Sequence, residues 1–160
     1  MIMENLKVAH EIFSIERVYK SDPESVYSAW SNVEAKANWF IGPGDWSVVQ
    51  RKLDFRIGGE EILHGRFPNG KETLYKARFS DLIENRRIVF VYDMILSGKI
   101  HSVSIASVEI EILDSSSTKL TFTEQVAFLD QTIGREGVAS RKEGTLAHLI
   151  RLTDYLEKVK

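Results

Sequence analysis

The sequence predicts an α+β domain in which a curved antiparallel sheet of about seven strands wraps around one long C-terminal helix, with two short helices after the first strand. Two observations carry this. Between Trp46 and Phe128, apolar and polar residues alternate in short runs separated by turn residues; from Arg135 onward, apolar residues recur at helical spacing. One twisted sheet cannot bury its own apolar face, and a single long helix covers only part of it. The uncovered strands must look into a space, so a cavity with mostly apolar walls is expected between helix and sheet.

The first strand is read over Glu11 to Lys20, where β-branched and aromatic residues are dense. Asp22 then caps a helix whose first position is Pro23, which lacks the donor that would be unpaired there. That helix reaches Trp30 and buries Val26, Tyr27 and Trp30. Ser31 and Glu34 stand at capping-box spacing and predict a second short helix from Val33 to Phe40, stopped by Gly42-Pro43-Gly44. Strands follow over Trp46 to Arg51 with Leu53, Phe55 and Ile57, then over Glu61 to Phe67 beyond the Gly58-Gly59 turn. Asn69-Gly70 marks a hairpin into Thr73 to Leu82, which puts Tyr75, Ala77 and Phe79 on one face. Arg87 to Tyr92 comes next, and a final pair, His101 to Leu113 and Thr118 to Phe128, closes through Asp114-Ser115-Ser116-Ser117. Val138, Leu146, Leu149, Ile150, Leu152 and Leu156 define a terminal helix of about twenty residues, roughly 30 Å long. No linker or repeat interrupts the chain, so residues 1–160 read as a single domain.

Composition excludes several classes. There is no cysteine, hence no disulfide, thiolate metal site or cysteine nucleophile. The 21 basic and 23 acidic residues give a net charge of −2 without a basic stripe, which argues against a nucleic-acid binder. The longest apolar run, Ile88-Val89-Phe90-Val91-Tyr92, is strand-sized, and the first ten residues carry Glu4 and Lys7 with no secretory apolar stretch. A cytoplasmic protein without a membrane span is the expectation. The four histidines, at 10, 64, 101 and 148, show no metal-ligand spacing, and neither a nucleophile elbow nor a phosphate-binding loop is present. Neither a metal nor a cofactor is expected.

The order of elements, together with Asp22-Pro23-Glu24-Ser25-Val26-Tyr27-Ser28-Ala29-Trp30, Trp39-Phe40, Phe55-Arg56-Ile57-Gly58-Gly59-Glu60 and Leu120-Thr121-Phe122-Thr123-Glu124-Gln125, resembles the helix-grip superfamily of the birch-pollen allergen, START lipid-transfer domains and polyketide cyclases. More narrowly, it is similar to the bacterial family related to the C-terminal domain of the activator of the heat-shock chaperone ATPase. The resemblance covers Ile12 to Leu156. It implies a ligand-binding or cochaperone-like role. At Gly144-Thr145 the chain departs from the Gly-Trp common in relatives, so a large ring is missing there.

Glu124 is the first candidate site residue, because the period of two places it on one face with Leu120, Phe122 and Val126. A desolvated carboxylate there suits a proton donor or an anchor for a guest; the alternative is a structural pair with an arginine. Arg56, beside the glycine pair, could hold a carboxylate at the cavity mouth or only brace the turn. Trp39, before the Gly-Pro-Gly loop, is a cavity wall candidate, and Tyr75, Phe79 and Tyr92 are either pocket or core. Gly144 disfavours helix and could mark a close approach at the cavity border, with Arg141 and His148 a turn to either side. The leading expectation is a non-catalytic receptor for a small apolar or amphipathic molecule. A chaperone-binding module and a cyclase- or hydrolase-like enzyme using Glu124 are the alternatives. Open sheet edges are compatible with a homodimer.

Overall fold

The structure, a computed structural model, describes residues 6–129 and 134–160. β1 (Ala9–Tyr19) turns Phe13, Ile15 and Tyr19 inward and leaves Ile12 and Val18 exposed. Asp22 accepts a hydrogen bond from the Ser25 amide at 2.7 Å and starts α1 (Pro23–Ser31), which buries Val26, Ala29 and Trp30 and leaves Tyr27 half-buried. The cap of α2 (Val33–Lys36) is Asn32, whose side chain accepts from the Ala35 amide; Ser31, expected in that role, closes α1 instead. α2 is also one turn long and stops well before Phe40.

β2 (Ser47–Leu53), β3 (Glu60–Arg66), β4 (Glu72–Ile83), β5 (Arg87–Leu96), β6 (Lys99–Asp114) and β7 (Ser117–Phe128) complete a seven-stranded antiparallel sheet in the order β1-β7-β6-β5-β4-β3-β2. Neighbours in sequence pair as hairpins, and only β1 is brought in from afar, against β7. β5 and β6 run longer than their alternation indicates. They meet at a two-residue turn, Ser97 and Gly98, both at positive φ, as the twist of a tight hairpin requires.

α3 (Gly134–Lys158) crosses the inner face of the sheet. Its second half sits on β1, where the Tyr19 hydroxyl donates to the Leu149 carbonyl and Arg17 reaches Thr153. Leu149, Leu152 and Leu156 are buried there, whereas Ile150, expected in the same stripe, is exposed. No helix among the described residues is long and apolar enough to cross a membrane. The core lies between α1, the second half of α3 and the inner face. The first half of α3 spans a gap.

Candidate functional site

That gap is a cavity of about 620 Å³, within the usual range of small-molecule sites. Its floor is the inner face of β3 to β7, its sides are α2 and the loop from Ile41 to Trp46, and its roof is α3 from Gly137 to Leu149. Rings dominate the wall: Trp30, Trp39, Phe40 and Trp46 from the short helices and loop, and Tyr75, Phe90, Tyr92, Phe122 and Phe128 from the strands.

Two buried ion pairs interrupt this wall. At the first, Glu124 is 1% exposed, and its Oε2 accepts from the Tyr92 hydroxyl at 2.7 Å, the Ser104 hydroxyl at 2.8 Å and Arg141 Nη1 at 2.9 Å. Arg141 Nη1 also donates to the Tyr92 oxygen, and Nη2 donates to Ser102 Oγ at 2.7 Å, while its guanidinium lies near the Tyr92 and Phe128 rings. Burial disfavours the charge on Arg141, but the neighbouring Tyr92 and Glu124 outweigh it and hold its pKa up. Tyr92 is pushed well up by burial, with Arg141 opposing, and stays a neutral phenol.

At the second, Lys36 Nζ lies 2.7 Å from Glu61 Oε1, both side chains 4% exposed, with the ammonium over the Trp30, Trp39 and Phe40 rings. Burial lowers the Lys36 pKa, and Glu61 opposes the shift. Tyr75 lies between the two pairs, its ring centroid 4.8 Å from that of Tyr92. Burial, then the charges of Glu61 and Glu124, keeps its hydroxyl protonated.

His148 Nε2 is 3.0 Å from the Ile41 carbonyl, which can only accept, so the ring carries its proton on Nε2. Burial, and then the charge of Arg151, push its pKa down to about 4. Arg151 Nη1 donates to the same carbonyl, so α3 holds the loop at Ile41 with two side chains. At the loop's other end, the Trp46 indole donates to Thr73 Oγ1 at 2.8 Å and rests on Gly65 and Gly42, where a Cβ would fall inside its ring.

Of the residues singled out in the sequence, Trp39, Tyr75, Tyr92, Glu124, Arg141, Gly144 and His148 border this one cavity. Two do not. Arg56 projects from the turn between β2 and β3 with its side chain 75% exposed and pairs with Asp54 at 2.8 Å, away from the residues that line the cavity. Phe79 is core, because Phe55 folds in from that turn and fills its end of the sheet, with ring centroids 4.9 Å apart. Gly144 has no atom within 4 Å of where a Cβ would stand, so no close approach is made there and the space beside it is open. Trp39 lines the cavity with its ring, and its N–H donates to the Ala29 carbonyl.

Lys36, Glu61, Ser102 and Ser104 were not singled out. Three had a signal: Glu61 alternates with buried Leu63 and Gly65, and Ser102 and Ser104 with buried Ala106 and Val108. Lys36 had none, since a one-turn helix has no stripe from which to read its buried side.

The family model described as Activator of Hsp90 ATPase homolog 1-like protein matches residues 20–157. Among solved structures, a protein of Rhizobium leguminosarum is 36% identical, with a TM-score of 0.86 over 95% of this chain and 97% of its own. A protein of Rhizobium loti is 33% identical, with a TM-score of 0.82 over 93% and 99%. A Staphylococcus aureus protein of unknown function, 17% identical, shares the fold with a TM-score of 0.80 over 97% and 98%. No curated protein matches.

Proposed function

The chain belongs to the family of Activator of Hsp90 ATPase homolog 1-like proteins, and from that premise we propose that it is a non-catalytic receptor for a small apolar or amphipathic molecule held between α3 and the sheet. The observation that carries this reading is a ring-lined space of about 620 Å³ roofed by a single helix. The non-catalytic part rests on Glu124. Its Oε2 already accepts from Tyr92, Ser104 and Arg141, an arrangement in which the carboxylate serves as the structural counter-ion of Arg141.

Native mass spectrometry of freshly purified protein tests this, together with titration by Nile red, an uncharged dye that brightens in apolar surroundings. A co-purifying mass, or saturable one-to-one dye binding, is expected. Bare polypeptide with no saturable dye signal would remove the receptor reading.

One observation favours a second reading. On the outer face, Ile12 of β1 and Ile105 of β6 are exposed on either side of Gln125 in the pairing register, with Val103 exposed nearby. Such a patch could dock a chaperone of the Hsp90 class, the partner named in the family description. Recovery of that chaperone by the wild type and its loss with Ile105→Glu, together with a change in ATPase rate, would support this; an unchanged ATPase rate would count against it.

A further inference from the structure

Resting on the receptor reading, we propose that the cavity selects an uncharged, ring-bearing guest and excludes ionic amphiphiles such as fatty acids, because the buried acidic and basic side chains on its wall among the described residues are paired with each other inside the protein. Arg141 is neutralised by Glu124 at 2.9 Å and Lys36 by Glu61 at 2.7 Å. The remaining titratable groups bordering the space among the described residues are Tyr75, Tyr92, His148 and His101. The two phenols remain protonated, and His148 is neutral well below pH 7. His101 packs edge-on against Phe128.

A charge entering an apolar enclosure needs a counter-charge there, or it loses hydration without compensation. A guest carboxylate at Arg141 would meet a guanidinium whose charge Glu124 already balances from β7, with Tyr92 and Ser104 as further donors to that carboxylate. A guest ammonium meets the same obstacle at Glu61, where Lys36 is in place. An uncharged ring system displaces none of these. It can lie against Trp39, Phe40, Tyr75, Tyr92, Phe122 and Phe128, with the phenols as hydrogen-bonding partners for an oxygen.

Three probes of one shape separate these cases: 2-acetylnaphthalene, 2-naphthoate and 2-(aminomethyl)naphthalene as its ammonium ion, each competing with Nile red on the whole chain. At about pH 8 the carboxylate and ammonium probes are both ionised. The ketone is expected to bind at least about tenfold more tightly than either ion, a modest fraction of the cost of an unpaired buried charge. A ketone no tighter than either ion overturns the proposal, while failure of Nile red itself to bind overturns the receptor reading beneath it.

Removing one member of a pair should reverse the preference. Glu124→Gln strands Arg141 and is expected to raise naphthoate affinity above that of the ketone; Lys36→Met strands Glu61 and is expected to do the same for the ammonium probe. A folded variant that keeps the wild-type order overturns the proposal. If neither variant folds, the wild-type comparison decides alone.

Discussion

Lys36 and Glu61 are the residues whose replacement should tell most about stability. Both are buried, so removing one strands the other in an apolar wall, whereas removing both leaves only a packing problem. Lys36→Met is expected to cost about 3 to 5 kcal/mol, and Lys36→Met/Glu61→Leu to recover most of that, read from urea midpoints. A double variant as unstable as the single would assign the loss to packing. His148 makes a separate prediction. Its folded pKa, about 4, lies below the value near 6.5 of an unfolded histidine, so the native state binds fewer protons between those values. Its contribution is therefore fully present above about pH 6.5 and is lost as pH falls toward 4, with an upper limit of about 3 kcal/mol that cavity water reduces. The slope of stability against pH in that window should flatten in His148→Gln; an unchanged slope would place the titration elsewhere. Glu124 was legible from strand period alone, since Leu120, Phe122 and Val126 fix its side of the sheet. Its partners were only half legible: alternation along β6 puts Ser102 and Ser104 inward, but it leaves the side of Tyr92 open, and nothing local says that Arg141 reaches them from α3.

Elements were legible where local chemistry is strong. Asp22-Pro23, Asn69-Gly70 and Asp114 to Ser117 each marked a boundary that the structure keeps, because the preference lies in the backbone and side chains of the residues themselves. α2 and the β5–β6 turn were misjudged for the opposite reason. Asn32 outcompetes Ser31 as cap once α1 has claimed Ser31, and Ser97-Gly98 is a turn only because pairing carries both strands that far. Gly144 gives the prediction at this scale. With no atom near its missing Cβ, Gly144→Ala should follow helix propensity alone and stabilise the protein by up to about 1 kcal/mol by urea denaturation. Gly144 borders the cavity, so a fall in Nile red affinity as stability rises would show that the added methyl takes space from the guest. A loss of stability instead would mean that the backbone there depends on glycine.

Across the whole molecule, β1 and β7 come from opposite ends of the chain and pair along their full length, with the second half of α3 bound to β1. This closes one side of the sheet into a core and leaves the other under the first half of α3. The cavity is a consequence of that asymmetry. One antiparallel sheet, one long helix, an uncovered apolar face and the position of Glu124 on that face could all be read from the chain, because period and turn chemistry are properties of neighbouring residues, while Tyr92 stayed open between pocket and core. That Arg56 and Phe79 stand outside the cavity, that Lys36 enters it, and that its two buried ion pairs close between different elements follows from the packing of the chain. Those outcomes depend on distances between residues far apart in the chain, which no local pattern encodes.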